Sequence, residues 1–358
     1  MKKKILTIVG ARPQFVKAAV ISKAIRKFNY FRETIVHTGQ HYDQNMSEIF
    51  FKNLNIKKPK YFLNIKKLNH NPMISKMIFR LDKIYQKEKP DGVIVFGDTN
   101  SSLSAALSAK KRKIPIFHIE SGVRNYDERM PEESNRYLVD RIADLNFCVT
   151  DLNYKNLINE GYYSNIINSK IIKSGDVMFD LFKEIEKKKN IKKNINLKNS
   201  IICTIQRESN VDDITNLKNI LMALDEINKV SPVLLISHPR TKKTILKKKL
   251  KYNFEIIDSV SYSQMINYLH SCKFVITDSG GLVREAYFAK KKSILILNNP
   301  LWPEIVLQKC SLNVIPSKKK ILKAFNDMQK LNGKFTNNIF GNGKASELII
   351  KKISNFLK

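Results

Sequence analysis

Short apolar, β-branched runs recur along the chain with amphipathic stretches between them: KILTIVG, ETIVHTG, GVIVFGD, IPIFHIE and LNFCVT, then SIICTIQ, PVLLISHP, FEIID, FVITDSG and SILILN. Continuous apolar strands alternating with helices predict parallel sheets covered on both faces. Most of these runs end in or beside Gly, Asp, His, Ser or Thr, and open α/β sheets bind ligands outside the carboxyl ends of their strands. The lysine-rich stretch 184–198 lacks apolar periodicity and reads as a surface connection between two such series. The expected division is a first Rossmann-like domain over 1–182, a second over 183–340, and a terminal segment, 341–358. In that segment Leu348, Ile349, Ile350, Ile353 and Leu357 recur at helical spacing, so it should dock as an amphipathic helix.

A length of 358 residues suits two domains, and an apolar fraction of 43% is that of an ordinary globular protein. No run approaches the roughly 18 apolar residues needed to span a bilayer. The opening MKKKILTIVGARPQF has too short an apolar run for a secretory segment and leads into a turn, so a cytoplasmic protein is expected. Cys148, Cys203, Cys272 and Cys310 are widely spaced, without a CxxC pair, and indicate neither zinc nor disulfides. The formal charge of +32 raises nucleic-acid binding as a question. Its lysines cluster in 184–200 and 240–252 with few interleaved aromatics or arginines, which favours steering of an anionic small substrate instead.

The strand ends carry the candidate chemistry. VGARPQFVKAA supplies a turn at Gly10, a guanidinium at Arg12 and an ammonium at Lys17, either a phosphate cradle or a plain strand-to-helix turn. It is neither a GxGxxG nor a Walker loop. Asp98, Glu120 and the pair Glu132 and Glu133 bring carboxylates to strand ends, where burial or like charges could suit them to acid and base work. Glu132 and Glu133 equally suit the first turn of a helix after a proline. VITDSGGLVREA sets Ser279, Gly280 and Gly281 before a helix containing Glu285, exposing backbone N–H groups to an anion, or simply capping that helix. His238 ends another strand, where it either meets substrate or satisfies a turn. His118 precedes Glu120 and is read as orienting a neighbour, since no three-ligand metal spacing exists.

Taken together, GARPQFVKA, HTGQHYDQNMSEIFF, FGDTNSS, HIESGVR, MPEESNR, SGDVMFD, HPRT and TDSGG resemble the non-hydrolysing UDP-N-acetylglucosamine 2-epimerase family, from Gly10 to about Trp302. GARPQF, MSEIFF and Trp302 look most like its branch acting on UDP-2,3-diacetamido-2,3-dideoxyglucuronate. The resemblance implies two Rossmann-like domains facing a cleft in the glycosyltransferase-B manner, with the terminal helix returning to the first domain. It also implies a homodimer, a role in surface polysaccharide precursor synthesis, and no cofactor, metal or nicotinamide beyond the UDP of the substrate. The family reaction removes the C2 proton, expels UDP to give a glycal, and re-adds UDP with a proton on the opposite face.

Carried onto this sequence, Asp98, Glu120 and Glu132 form the acid and base set. Arg12, Lys17, His238, Tyr262, Ser279, Gly280, Gly281 and Glu285 match UDP contacts, with Tyr262 inside the uracil segment DSVSYSQM. Arg124, Arg129 and Asn135 fall at the sugar pocket, and Arg124, Arg129 and Arg240 are candidate partners for a uronate carboxylate. Gly39 to His41 resembles part of a second, regulatory nucleotide site, but the chain differs from Tyr42 onward.

The departures matter as much. Where the family has His-Arg-x-Glu-Asn, this chain has Gln206, Arg207, Glu208, Ser209 and Asn210; Val283 replaces a glutamine, and LNNPLW replaces an Arg-Asp loop. A histidinium beside the leaving diphosphate would stabilise its charge, and losing such a donor costs about 3 kcal/mol of barrier. Gln206 keeps a donor without charge, and Arg207 compensates in part. The alternatives are a UDP-sugar-binding homologue with impaired catalysis, and a hydrolysing epimerase or glycosyltransferase on the same fold.

Overall fold

The computed structural model describes residues 2–40, 57–65, 68–162, 167, 169–188, 197–336 and 338–358, without the side chains of Arg12 and Lys188. Two compact units emerge, one of residues 1–181 and 337–358, the other of residues 182–336.

In the first unit, β1 (Lys3–Val9), α1 (Arg12–Phe28), β2 (Phe31–His37), β3 (Tyr61–Phe62), α2 (His70–Glu88), β4 (Gly92–Phe96), α3 (Asn100–Lys111), β5 (Ile116–Ser121), α4 (Pro131–Ile142), β6 (Leu145–Cys148), α5 (Asp151–Asn159) and β7 (Lys170–Lys173) follow one another. The strands form a parallel sheet in the order β3-β2-β1-β4-β5-β6-β7, so the strand order reverses between β1 and β4. Both faces are covered, which is why the strands read as unbroken apolar runs. On one face Met77, Leu81 and Tyr85 of α2 pack with Ala105, Ala106 and Ala109 of α3. On the other, Ile21 and Ile25 of α1 meet Ile349, Ile350 and Ile353, the inward stripe of the terminal helix Ala345–Phe356.

The helix α6 (Val177–Lys188) runs into the stretch expected to be a surface connection. Val177, Met178, Leu181 and Phe182 are buried and recur at helical spacing. That stripe, continued by Ile185, extends the helix, with Glu186 and Lys187 exposed on its outer face. Residues 189–196 lie outside the described set.

In the second unit, β8 (Ile201–Thr204), α7 (Glu208–Val211), α8 (Ile214–Asn228), β9 (Val233–Ser237), α9 (Pro239–Lys247), β10 (Glu255–Asp258), α10 (Tyr262–Ser271), β11 (Phe274–Thr277), α11 (Gly280–Phe288), β12 (Ser293–Ile296), α12 (Pro303–Leu307), β13 (Ser311–Val314) and α13 (Lys318–Lys330) repeat the plan. The parallel order β10-β9-β8-β11-β12-β13 reverses between β8 and β11. Leu217, Ile220 and Leu224 of α8 join Ile321, Phe325 and Met328 of α13 on one face, and Ile266 and Leu269 of α10 join Ala286 of α11 on the other.

The chain rejoins the first unit from residue 337, earlier than the expected 341, because Phe340 is buried there and its carbonyl accepts from Asp176 N. The terminal helix, α14 (Ala345–Phe356), lacks a side-chain cap of its own. Asp180 supplies one from α6, accepting from Ala345 N at 3.0 Å, Ser346 N at 2.8 Å and Ser346 Oγ at 2.7 Å. Removing a cap typically costs about 1 kcal/mol, and these donors are buried. Asp180→Ala should therefore destabilise the protein by about 2 kcal/mol, and hydrogen exchange should show the amides of α14 opening first. Among the described residues, no helix is long and apolar enough to cross a membrane.

Candidate active site

At the first switch point the turn after β1 must be glycine, since a Cβ on Gly10 would lie 2.0 Å from Ser101 Oγ and 2.3 Å from Thr38 Oγ1. Gln14, one turn into α1, is buried and ties two loops together. Its Oε1 accepts from Gly10 N at 2.8 Å and Ala11 N at 3.1 Å, while its Nε2 donates to Phe96 O at 2.8 Å at the end of β4. Two amides of the expected phosphate cradle are thus already occupied by Gln14. The Arg12 side chain lies outside the described residues, as do His41 and residues 46–51.

Lys17, also on α1, turns inward. Its Nζ sits 2.8 Å from Glu120 Oε2, with both side chains largely buried. Glu120 has φ 73°, a costly left-handed conformation for a non-glycine residue, and it lies at an irregularity in the β5–β6 register between Ile119 and Ser121. Such a bulge re-aims one side chain. It brings the carboxylate over Gly97, whose missing Cβ would stand 3.5 Å from Glu120 Oε1 and 3.6 Å from Lys17 Nζ.

Asp98 follows Gly97 and belongs to a second ion-pair cluster. Arg136 on α4 donates to Asp98 Oδ2 through Nε at 3.0 Å and also through NH2, while its NH1 meets Glu133 Oε2. Asn135 donates to Asp98 O at 2.8 Å and Asn100 Oδ1 at 3.2 Å. Glu133, not Glu132, is the buried acid of the pair: its Oε1 accepts from Asn125 N at 3.1 Å and Tyr126 N at 3.0 Å. Glu132 is half-buried in the first turn of α4 with no partner among the described residues.

The two arginines expected at a sugar pocket differ sharply. Arg124 is buried, gripping Glu160 through Nε and NH2, both at 2.8 Å, while NH1 meets Asp140 Oδ2 at 2.8 Å and Val123 O. Its flanking carboxylates, foremost Asp140, outweigh burial and hold its pKa above the ordinary arginine value. All three nitrogens are engaged, so Arg124 acts here as a scaffold for the turn after β5. Arg129 is exposed and pairs with Asp127 at 2.7 Å.

In the second unit the turn after β8 rests on a residue that sequence reasoning missed. Asp278, fully buried, accepts from Gln206 N at 3.0 Å, Arg207 N at 2.9 Å and Asn210 Nδ2 at 3.1 Å. Arg207 Nε donates back to Asp278 O at 2.8 Å. Burial raises the Asp278 carboxyl pKa, against those donors, which favour the ionised form. The Gln206 side chain is exposed above this clamp. Arg240 pairs with Glu208 Oε1 at 2.8 Å, and His238 caps α9 by accepting from Arg240 N at 3.2 Å.

Next to Asp278, Ser279 caps α11, its Oγ accepting from Leu282 N at 3.4 Å. The N–H groups of Gly280 and Gly281 are left without partners among the described residues, at the positive end of the helix. A Cβ at Gly280 would stand 2.5 Å from Leu301 Cδ1, and Glu285 is buried a turn and a half further on. Tyr262 opens α10 behind a Ser261 capping box.

Two doubly wound parallel sheets, each with polar groups gathered at strand ends beside its switch point, define an α/β protein with two Rossmann-like units. The chain belongs to the UDP-N-acetylglucosamine 2-epimerase family, whose model matches residues 23–354. It is 44% identical to a Pseudomonas aeruginosa UDP-2,3-diacetamido-2,3-dideoxy-D-glucuronate 2-epimerase over 87% of this chain and 88% of that one. It is 37% identical to a Methanocaldococcus jannaschii UDP-N-acetylglucosamine 2-epimerase over 97% and 98% of the two chains. The crystal structure of a Methanocaldococcus jannaschii UDP-GlcNAc 2-epimerase with UDP-GlcNAc and UDP superposes with a TM-score of 0.89 at 36% identity, covering 98% of this chain and 99% of that one. A Staphylococcus aureus MnaA–UDP structure gives 0.88 at 30% identity, covering 99% and 97%. The expected family and fold class are therefore correct.

Gln14, Arg136, Asp140 and Asp278 were not singled out from the sequence. Arg136 had a legible signal, standing three residues after Glu133 on a helix. Asp278 had one too, immediately before Ser279 in TDSGG.

Proposed function

We propose that this protein is a non-hydrolysing UDP-sugar 2-epimerase whose substrate is UDP-2,3-diacetamido-2,3-dideoxyglucuronate, with UDP-N-acetylglucosamine as the lesser one. The observation that carries the reading is the pair of carboxylates at one switch point, Glu120 held by Lys17 and Asp98 by Arg136. The identity of 44% to the Pseudomonas aeruginosa enzyme supports the choice of sugar.

In the reaction, one carboxylate takes the C2 proton as the C1–O bond to UDP breaks, leaving a glycal and UDP. UDP then returns to C1 as a carboxylic acid delivers a proton to the other face of C2. Glu120, Asp98 and the unpartnered Glu132 are the groups for these transfers, contributing about 10²- to 10⁴-fold each. Lys17 and Arg136 hold the first two carboxylates in place. Arg207 and the amides of Gly280 and Gly281 are suited to the diphosphate, with Glu285 toward ribose and Tyr262 toward uracil. No cofactor beyond UDP is required, because the leaving group is also the returning nucleophile. A homodimer and a cytoplasmic setting belong to the same proposal.

Exposure of Gln206 at the position of the family histidine favours one competing reading, a UDP-sugar-binding homologue with little turnover. Incubating the purified protein separately with the two UDP-sugars and following C2 by NMR tests both. The C2 epimer should form from the uronate with kcat/KM at least about tenfold above that for UDP-N-acetylglucosamine, the scale of one added polar contact. Epimer from UDP-N-acetylglucosamine alone would overturn the substrate assignment, and UDP binding without any epimer would favour the second reading.

A further inference from the structure

His118 lies on β5, two residues before Glu120, and its side chain is fully buried. It is absent from the acid and base set, yet it touches the backbone of the turn that carries Asp98. Its Nε2 is 2.9 Å from Gly97 O and its Nδ1 is 2.7 Å from Asp140 Oδ1. A carbonyl oxygen can only accept, so Nε2 donates to Gly97 O while Nδ1 meets the Asp140 carboxylate. Burial alone would push the Asp140 carboxyl up, but His118 and Arg124 outweigh it and hold the group below the ordinary aspartate value.

The carbonyl that His118 holds has a particular place in the chain. Gly97 has φ 57°, and its C=O belongs to the planar peptide whose N–H is that of Asp98. Fixing that oxygen fixes the plane from which Asp98 departs. The neighbouring carbonyls are fastened as well: Phe96 O by Gln14 Nε2 at 2.8 Å and Ser102 Oγ at 2.6 Å, and Asp98 O by Asn135 Nδ2 at 2.8 Å. Three of the contacts converging here start from α4, through Asn135, Arg136 and, by way of His118, Asp140. Strand β5 itself is stitched next to Glu120, where Ser121 Oγ donates to His118 O at 2.8 Å.

We infer that His118 is a positioning residue for the epimerisation, setting the Asp98 carboxylate relative to Glu120 through the Gly97 carbonyl, with Asp140 orienting its ring. The inference rests on the proposed epimerase activity. Two carboxylates that exchange protons with opposite faces of one carbon need a fixed separation, and an error of about 1 Å can cost about 100-fold.

Two amide substitutions separate the two ends of the ring. The Gln amide nitrogen reaches the place of Nε2, so His118→Gln keeps donation to Gly97 O and gives up Asp140. The Asn amide nitrogen reaches the place of Nδ1, so His118→Asn keeps Asp140 and gives up Gly97 O. The experiment measures kcat and KM for wild type and both variants, normalising kcat to UDP-binding sites counted by titration so that misfolded protein does not enter. Thermal midpoints are recorded in parallel.

His118→Asn should lose about 100-fold in kcat with KM little changed, and His118→Gln should stay within about fivefold of wild type. A purely structural histidine predicts the reverse ordering in stability, with His118→Gln the less stable for losing the buried carboxylate, and equal kcat per UDP-binding site. Equal kcat for the two variants overturns the positioning role while the activity stands. A wild-type protein that binds UDP but makes no epimer fails the underlying reading instead.

Discussion

Glu120→Gln should lower kcat by about 10³-fold while UDP affinity stays within about twofold of wild type, since removal of a positioned proton-transfer group costs about 10² to 10⁴. The size follows from how much of the local structure serves this one carboxylate. The left-handed backbone at Glu120, the bulge in β5, and the buried Lys17 ammonium at 2.8 Å all hold it over Gly97. Glutamine preserves shape and one acceptor but neither takes up a proton nor neutralises Lys17. Breaking a buried pair by removing one charge also costs about 3 kcal/mol, so the midpoint should fall in the same variant. Steady-state kinetics beside UDP calorimetry separates the two effects. A kcat within tenfold of wild type would remove Glu120 from proton transfer and leave Lys17–Glu120 as a structural pair.

Asp278→Ala should have the largest effect in the second unit. Its buried carboxylate is the shared acceptor for the amides of Gln206 and Arg207 and for the buried Asn210 Nδ2. Leaving buried donors unsatisfied costs about 1 to 3 kcal/mol each. A total loss of about 3 kcal/mol would lower the midpoint by roughly 10 °C. The same substitution should weaken UDP binding, because Arg207 and the Ser279 turn lose their common support. Calorimetry and UDP titration check both, and unchanged UDP affinity would detach the Gln206–Arg207 turn from the nucleotide site.

These effects bear on how legible the molecule was. The parallel sheets could be read directly, because strands buried on both faces must be apolar throughout, as Gly92–Phe96 and Val233–Ser237 are. The two units followed from the same repetition. The extent of α6 was hidden, since Glu184, Glu186, Lys187 and Lys188 masked an apolar stripe that begins earlier, at Val177. Glu132 and Glu133 were indistinguishable in sequence; only the rotation of α4 decides which is buried.

Gln14, Asp140 and Asp278 were obscure for a common reason. Each acts on backbone groups brought close by the fold, from Gly10 and Phe96 to Gly122 and Gln206, and sequence spacing does not record such partners. Arg124 shows the converse: a cation at a promising position that the fold commits to Glu160 and Asp140.

Gln206 has a more definite setting than its sequence alone suggests. The turn beneath it is held by Asp278 and Arg207, so the loss of the family histidine removes a charge from an ordered site. That argues for slowed turnover more than for lost binding, and it makes the chemical step the point to measure.

The most direct measurement is incubation of the UDP-2,3-diacetamido uronate in deuterated buffer with NMR observation of C2. Elimination and return of UDP predicts deuterium at C2 of the epimer, growing with turnover, with the nucleotide still joined to the sugar. UDP-sugar recovered with its C2 proton intact, or UDP released with free sugar, would contradict it.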